Sequence, residues 1–285
     1  MTEQTQTEKP HISATQYTMA AKCWEQYRRR YIFGERIPPG IALLQGSGFH
    51  IGAETNMRQK IDSHVDLPAS EIVEAAVAGF DQRAAEGYAL TDDEACRGEK
   101  IVLGQAKDQL VGLAKCHAAE QAPDYQPVAV EHTTRILFPN ATHDMLAVTD
   151  LRDDAGRVTD FKTAGRKPPQ KDADESVQLT IYAAAYQIET GQSPSEVRLD
   201  VVTKTKTPAR HVLRSARGRG DYTALLSRIN AMLATIAAFE KEGLEPWPAA
   251  PVGQWWCSPK FCGYWRTCPH VNSERQAAAE RNGTK

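Results

Sequence analysis

One predicted β-hairpin constrains the fold of this chain more than any other segment. Two alternating runs of strand-forming residues, 145–150 and 158–162, flank a turn sequence, Asp-Asp-Ala-Gly, that ends at Gly156. Glycine suits such a turn because it readily adopts a left-handed backbone conformation. The loop length pairs the strands so that Asp150 lies directly opposite Asp160, with Cβ atoms about 5 Å apart. We therefore expect two antiparallel strands that bring two carboxylates together.

The acidic pair indicates a metal site. Two carboxylates at this distance repel each other unless a proton or a cation lies between them, and oxygen ligands prefer hard cations such as Mg²⁺ or Mn²⁺. Lys162 shares the strand face of Asp160, where an ammonium group can assist a metal-bound water and offset charge on a phosphate. The hairpin alone fits two functions: phosphodiester hydrolysis, or a solvated surface with an ordinary salt bridge.

The hairpin lies between a helical first half and a mixed second half. The spacing of apolar residues predicts helices over 13–31 with Ser13 as the N-cap, 43–61, 70–86, 101–120, 176–189 and 222–242. The strands predicted outside the hairpin are 128–138, 197–202 and 211–213. This order predicts an α/β fold in which helices flank a mixed central sheet.

Four segments are expected along the chain. They are a disordered tail at 1–12, a helical N-terminal part at 13–125, a mixed-sheet core at 126–245 and a C-terminal tail rich in cysteine and aromatic residues at 246–285. We expect residues 13–270 to form one compact domain.

Composition limits where the protein acts and what it binds. Its 34 lysines and arginines against 36 acidic residues give a formal charge of −2, which excludes binding to nucleic acid by bulk charge alone. A mean hydropathy of −0.50 and the lack of an apolar run of about 18 residues predict no membrane-spanning helix. The polar N-terminus predicts no secretory signal, so we expect a cytoplasmic protein. Two basic runs could contact phosphates or be solvated surface: Arg28-Arg29-Arg30, and Lys204, Lys206, Arg210, Arg214, Arg217 and Arg219.

Several motifs in a fixed order extend the hairpin signal. An upstream Gly46-x-x-x-His50 precedes Asp150 and Asp160-x-Lys162, and a predicted helix carrying Gln178-x-x-x-Tyr182 follows. The ordered set resembles the PD-(D/E)xK nuclease superfamily, whose core is a mixed sheet flanked by helices. Within it, the set is most similar to the RecB-like branch of CRISPR-adaptation exonucleases, the AddB nuclease and phage exonucleases. The resemblance spans most of the chain.

The resemblance implies roles that the positions alone do not. Alone, His50 would be an ordinary helix-surface histidine, and Gln178 with Tyr182 would be the packed face of an alanine-rich helix. By resemblance, Lys162 serves the attacking water, and Gln178 and Tyr182 brace the catalytic site and contact the DNA strand. The implied ligands of Mg²⁺ or Mn²⁺ are the catalytic carboxylates Asp150 and Asp160, His50 and the main-chain carbonyl of Phe161, with Glu131 as a candidate additional carboxylate.

The six cysteines of a chain expected to be cytoplasmic are better explained as thiols or metal ligands than as disulfides. The C-terminal tail supplies three, whereas Zn²⁺ and iron-sulfur clusters take four ligands. RecB-like nucleases with a [4Fe–4S] cluster place one cysteine before the core and three after it, which implies the set Cys23, Cys257, Cys262 and Cys268. The spacing here is C-x4-C-x5-C instead of C-x2-C-x5-C, so Zn²⁺, or thiols without a metal, stay open. Cys96 and Cys116 have no partner pattern, and we expect both to be packed.

The resemblance implies a metal-dependent DNA exonuclease of recombination, repair or DNA end processing in a phage or bacterium. Its implied partners are DNA and either a single-strand annealing recombinase or a helicase. Two alternatives are a CRISPR-adaptation nuclease and, from another class, a non-catalytic iron-sulfur DNA-binding subunit. The complete set of Asp150, Asp160 and Lys162 argues against the second, because a binding subunit would not need it.

Overall fold

The computed structural model describes residues 9–138 and 142–271. The chain divides into two compact units. The terminal unit comprises Met1–Ile37, Ala141–His143 and Arg228–Lys285, and the core unit comprises Pro38–Asn140 and Asp144–Ser227. In chain order the helices and strands are β1 (His11–Ser13), α1 (Ala14–Lys22), α2 (Trp24–Tyr27), α3 (Ile41–Ser63), α4 (Ala69–Ala85), α5 (Asp92–Arg97), α6 (Glu99–Cys116), β2 (Pro127–Ile136), β3 (Asp144–Asp153), β4 (Arg157–Ala164), α7 (Lys171–Asp174), α8 (Val177–Thr190), β5 (Glu196–Thr203), β6 (Arg210–Ser215) and α9 (Arg219–Lys241).

Five of the six described strands lie in the core unit and form a mixed sheet in the order β2-β3-β4-β5-β6. Strands β4 and β5 are parallel, and the other neighbours are antiparallel. A parallel pair needs a crossover connection, which α7 and α8 supply here. Helix α8 packs against β2, β3, β4 and β5, while α3 and α6 also contact the sheet. The predicted α/β class with a mixed sheet flanked by helices is confirmed.

The predicted hairpin is formed by β3 and β4. Its pairs are Leu151–Thr159 and Arg152–Val158, which is the predicted register. Gly156 has a φ of +72° at the turn, as the sequence required. The Asp153 carboxylate holds the turn closed, because its Oδ1 accepts the backbone amides of Ala155 at 3.1 Å and Arg157 at 3.0 Å.

Helices α3, α4 and α6 bury a large apolar cluster of the core unit. Two glycines of α3 make the close approach to α4: a Cβ added at Gly48 would lie 2.7 Å from the Ala76 carbonyl oxygen, and one at Gly52 would lie 2.9 Å from that of Ile72. Gly46, in the same helix, faces open space. The position of α3, which carries His50, therefore depends on two residues without side chains.

Three features of the N-terminal half differ from the predictions. The predicted helix over 13–31 begins with the expected cap at Ser13 but is interrupted at Cys23, whose backbone is extended. The predicted disordered tail at 1–12 overlaps strand β1, where Ile12 is buried; residues 1–8 lie outside the described residues. Helix α5 went unpredicted because its six residues include no buried one, and hence no apolar periodicity.

Helix α9 is the one helix among the described residues that is long and apolar enough to cross a membrane. This differs from the prediction, but it is weak evidence, because core helices of soluble proteins pass the same test. Its buried apolar side chains fall on one face at helical spacing. They are Leu225, Ile229, Met232, Leu233 and Ile236.

Replacing Gly48 by alanine should destabilise the core unit by about 1–3 kcal/mol, the usual cost of overpacking. The added methyl group would meet the backbone of α4, which cannot move aside as a flexible side chain can. Urea unfolding monitored by circular dichroism measures the loss. Gly46→Ala is the matched control and should stabilise the protein by up to about 1 kcal/mol through helix propensity. Equal effects of the two substitutions would contradict the packing role of Gly48.

Candidate active site

Three acidic residues lie in a row across β2, β3 and β4. The residues on either side of Glu131 pair with Leu151 and Thr149, so Glu131 lies opposite Asp150. Asp160 follows on β4, one step beyond the last pair of the hairpin. Glu131 has a φ of +47°, a left-handed conformation that costs a non-glycine residue roughly 1–2 kcal/mol. Strain of this kind is typical of functional sites.

Glu131 and Asp150 form a ligand group with His50, which comes from α3. One ligand atom of each residue lies within 4.8 Å of those of the other two, so the group could hold a metal ion. His50 Nδ1 is 3.5 Å from Asp150 Oδ2, and the backbone of Phe161 lies close enough to the His50 ring to influence its pKa. Asp150 Oδ2 accepts the backbone amide of Phe161 at 2.9 Å. The structure therefore brings His50, Asp150, the candidate carboxylate Glu131 and the Phe161 backbone together.

Asp160 is not part of this ligand group and is paired with Lys162 instead. Lys162 Nζ donates to Asp160 Oδ1 at 2.9 Å, as expected for residues on one strand face. Burial opposes the charge on Lys162, but the nearby carboxylates of Asp160 and Asp150 outweigh it and raise the pKa of the ammonium group. The lysine thus supplies the positive charge beside the acidic row.

The ionisation of the ligand group is strongly perturbed. Burial, and then the charge of Asp160, hold the pKa of Asp150 well above its usual value. The pKa of Glu131 is raised by burial and by Glu54. Burial and the charge of Lys162 lower the pKa of His50, so its ring favours the neutral form that ligates metals. Each shift opposes charge on a ligand, which is the situation that a bound cation relieves.

Gln178 and Tyr182 lie on α8, whose first turn is capped by the Ser176 side chain. Gln178 Nε2 donates to the Tyr182 hydroxyl at 2.6 Å. Burial and the charges of Asp150 and Asp160 raise the pKa of Tyr182, which indicates that the hydroxyl lies near the acidic row. The structure thus brings the predicted Gln-x-x-x-Tyr pair to the same site.

Glu54 and Arg58 belong to this site and were not identified from the sequence. Glu54 influences the pKa of both Glu131 and His50, and its Oε1 lies 2.7 Å from Arg58 Nε. The available signal was spacing, since residues 50, 54 and 58 share one face of a helix. That face holds a histidine, a glutamate and an arginine beside the acidic row.

The four predicted cluster cysteines all lie in the terminal unit. Burial raises the pKa of Cys23, Cys262 and Cys268, and Cys257 adds to the rise in all three. Backbone amides hydrogen-bond the sulfurs, with Gln26 and Ala250 donating to Cys23. The break between α1 and α2 places Cys23 outside regular helix. The structure therefore brings Cys23, Cys257, Cys262 and Cys268 together.

The other two cysteines differ from each other. Cys116 is buried in the core cluster as expected, and burial raises the pKa of its thiol to about 11. Cys96 is exposed, so the prediction that it is packed was wrong. It lies on α5, which buries none of its residues.

Four of the nine basic residues that could contact phosphates are engaged by partners within the protein instead. Arg28 pairs with Glu25, Arg29 with Glu35, Arg210 with Asp200 and Asp124, and Arg217 donates to the Ala173 and Ser176 carbonyls. For Arg210 and Arg217 the sequence could not indicate this, because Asp124 and the Ala173 carbonyl are distant along the chain. The exposed members of the second run are Lys206, Arg214 and Arg219.

The fold and the motifs agree with known proteins. The chain matches the family model of the PD-(D/E)XK nuclease superfamily over residues 11–269. A solved structure from Eubacterium rectale, named "Putative exonuclease", is 14% identical, with 92% of this chain and 90% of that chain covered and a TM-score of 0.55. A second solved structure, SSO0001, is 13% identical, with 88% of this chain and 96% of that chain covered and a TM-score of 0.33. No curated protein matches the chain.

Replacing Asp150 by asparagine should raise the thermal stability of the metal-free protein at neutral pH. The pKa of Asp150 in the folded protein lies above the usual 3.8. The folded protein therefore loses stability as pH rises from the pKa of the unfolded chain through that of the folded protein, because ionising the buried carboxyl group is unfavourable. Asparagine keeps an oxygen for the Phe161 amide but has no charge. We expect a gain of at least about 1 kcal/mol, which corresponds to one pKa unit, measured by calorimetry in EDTA.

Mn²⁺ should then stabilise the wild type more than Asp150→Asn, because the variant has lost a charged ligand. Asp153→Asn is the matched control: its carboxylate accepts two backbone amides and pairs with Arg157, so this substitution should lower stability. An Asp150→Asn protein that melts below the wild type in EDTA would show that repulsion does not act on this carboxyl group.

Proposed function

The chain belongs to the PD-(D/E)XK nuclease superfamily, and we propose that it is a metal-dependent DNA exonuclease of the RecB-like branch. One observation carries the proposal: the group of His50, Glu131 and Asp150 could hold a divalent cation beside the ion pair of Asp160 and Lys162. Nucleases of this superfamily typically use divalent metals, and a carboxylate-rich group suits Mg²⁺ or Mn²⁺.

The proposed ligands are His50, Asp150, Asp160 and the Phe161 carbonyl, with Glu131 as an additional carboxylate. The bound cation would polarise a phosphate oxygen and lower the pKa of a coordinated water. The neutral ring of His50 has a lone pair to give, while Asp150 holds its orientation through the Phe161 amide. Asp160 is kept beside the group by Lys162.

Lys162 acts as a hydrogen-bond donor and counter-charge in this proposal. Its raised pKa keeps the side chain protonated at neutral pH, which suits an ammonium that orients the attacking water and offsets charge on the phosphate. Tyr182 assists from α8: its hydroxyl accepts from Gln178, so its own proton can be donated toward the phosphate.

The assignment of DNA as the substrate, with degradation from ends, follows the resemblance of the motifs. It is supported by the Eubacterium rectale protein of the same fold, whose name contains the word exonuclease. The proposed role is recombination, repair or end processing in the cytoplasm of a bacterium or phage-infected cell. A single-strand annealing recombinase or a helicase is the proposed protein partner, because the sequence contains no helicase motif of its own.

We further propose that the four cysteines of the terminal unit bind a [4Fe–4S] cluster. Their mutual electrostatic influence and the backbone amides directed at the sulfurs support a shared site, since hydrogen bonds to sulfur are usual around such clusters. Zn²⁺ at the same four thiolates is the alternative that the experiment below distinguishes.

Lys162→Ala should reduce metal-dependent cleavage of end-labelled linear DNA by at least about 100-fold, the usual cost of losing one charge-stabilising donor. Circular dichroism should show a retained fold. Lys115→Ala, which removes an exposed lysine from the last turn of α6, is the matched control and should cleave at the wild-type rate. Wild-type cleavage by Lys162→Ala would show that the proposed site is wrong.

The same assay separates action at ends from internal cutting. Covalently closed circles should resist the wild-type enzyme in Mg²⁺ or Mn²⁺, while linear DNA of the same sequence is degraded. Rapid nicking of the circles at low enzyme concentration would instead identify an endonuclease.

Anaerobically purified protein should be brown, with broad absorption near about 400 nm from a thiolate-ligated cluster. Cys257→Ala should remove the colour and lower the melting temperature, because metal binding and folding are linked. Cys96→Ala is the control and should keep the colour, since Cys96 is exposed on α5 in the core unit. A colourless preparation with one Zn²⁺ per chain would replace the cluster by zinc at the same four ligands.

A further inference from the structure

The ring of Phe161 is held from two sides in the interior of the core unit. Phe161 lies between Asp160 and Lys162, so its side chain points to the opposite face of β4, where it is 3% exposed. His117 and Tyr125 both meet this ring edge-on, with centroid distances of 5.5 Å and 5.7 Å. Anything that shifts either ring therefore shifts the strand segment that carries the two catalytic side chains.

His117 connects this strand to the helix that supplies His50. Its ring also meets Phe49 edge-on at 5.8 Å, and Phe49 precedes His50 in α3. The His117 ring thus contacts Phe49, the neighbour of the proposed ligand His50 on α3. It also contacts Phe161 on β4, whose carbonyl is a second proposed ligand. The hydrogen bond of His117 goes to Gln121, not to His50 or the carboxylates of the ligand group, so its influence on them is indirect.

A buried carboxylate fixes the direction of the hydrogen bonds behind these rings. Asp200 pairs with Phe161 across β4 and β5, and an ionised carboxylate can only accept. Gln121 Nε2 donates to Asp200 Oδ1 at 2.9 Å, so the Gln121 oxygen must face His117. His117 Nδ1, 2.9 Å from that oxygen, must then be the donor. Tyr125 donates its hydroxyl to Asp200 Oδ2 at 2.6 Å.

The hydrogen-bonded series of His117, Gln121 and Asp200 is too polar and too deeply buried to be explained by packing alone. His117, Gln121 and Asp200 are each 0% exposed. His117 Nε2 is buried without a hydrogen-bond partner, which carries a desolvation cost that an apolar side chain would avoid. What the polar groups add is orientation, because a hydrogen bond fixes the rotation of a ring where apolar contact leaves it free.

We propose that His117 and Tyr125, oriented by Gln121 and Asp200, are positioning residues that hold β4 against α3 at the spacing required for metal binding. The proposal rests on the proposed function, because it concerns the same site. It assigns the four residues no contact with substrate or metal. Their effect is on how closely His50, Asp150 and the Phe161 carbonyl approach one another.

Two substitutions remove the hydrogen-bonding groups of His117 and Tyr125 but leave an aromatic ring at each position. His117→Phe deletes the Nδ1 donor, and Tyr125→Phe deletes one hydroxyl. In each variant the affinity for Mn²⁺, measured by isothermal titration calorimetry without DNA, should fall roughly 10-fold to 100-fold, as for other residues that orient metal ligands. Cleavage should be weak at limiting Mn²⁺ and recover to within a few-fold of wild type at saturating Mn²⁺.

Asn56→Leu is the matched control within the same unit. Asn56 is also 0% exposed and hydrogen-bonds Asp66 and the Leu67 amide. It takes no part in the ring contacts of Phe49 and Phe161 with His117. It should lower the melting temperature and leave the Mn²⁺ affinity unchanged. If His117→Phe does not fold, Tyr125→Phe decides, since it removes a single oxygen atom.

Wild-type Mn²⁺ affinity in a folded Tyr125→Phe or His117→Phe protein would overturn the proposal. So would an equal loss of affinity in Asn56→Leu, because the effect would then be general destabilisation. The proposed function fails separately: a wild-type protein that binds Mn²⁺ but cleaves no DNA would refute the nuclease activity while leaving the positioning role measurable by calorimetry.

Discussion

Repulsion among Glu131, Asp150 and Asp160 is the constraint on which the core unit depends. Three acidic residues in a row across adjacent strands cannot all be ionised in a buried setting without compensation. The fold surrounds them with a neutral histidine from α3, an ammonium on β4 and the backbone amide of Phe161. None of these groups neutralises the whole row, so a place for a divalent cation remains the physical consequence of the arrangement.

The helical layer brings one face of α3, with His50, Glu54 and Arg58, to that row. His50 is useful only if α3 lies close to the sheet, and α3 is held by its packing against α4. Gly48 and Gly52 permit that packing because the backbone of α4 occupies the space where side chains would be. Side chains of β4 alternate between the two faces of the sheet. Asp160 and Lys162 face the site, while Phe161 packs in the interior on the opposite face.

Sequence reasoning succeeded where the signal was local. The hairpin register followed from a turn, and the cap at Ser13 follows from the chemistry of a single residue. The proximity of His50, Asp150 and the Gln178–Tyr182 pair was anticipated only through the resemblance of the ordered motifs. Their assigned roles remain proposals.

What sequence reasoning missed depends on tertiary partners. Nothing local to Arg210 reveals that Asp200 and Asp124 surround it, so a basic run was interpreted as surface. The extended backbone at Cys23 breaks a helix that periodicity extends without interruption. Glu54 joins the site because α3 faces β2, and the strained backbone of Glu131 arises from its position in the sheet. Periodicity and motif spacing do not contain this information.

The division of the chain into units sets an order of events during synthesis. Apart from a three-residue segment, the core unit is continuous from Pro38 to Ser227, whereas the terminal unit draws on both sides of it. Domains generally fold as they emerge from the ribosome, from the N-terminal side. The nascent chain can thus assemble the acidic row while Cys23 still waits for Cys257, Cys262 and Cys268 to be translated. Completion of the terminal unit therefore waits for the C-terminal segment, after the core unit has been synthesised.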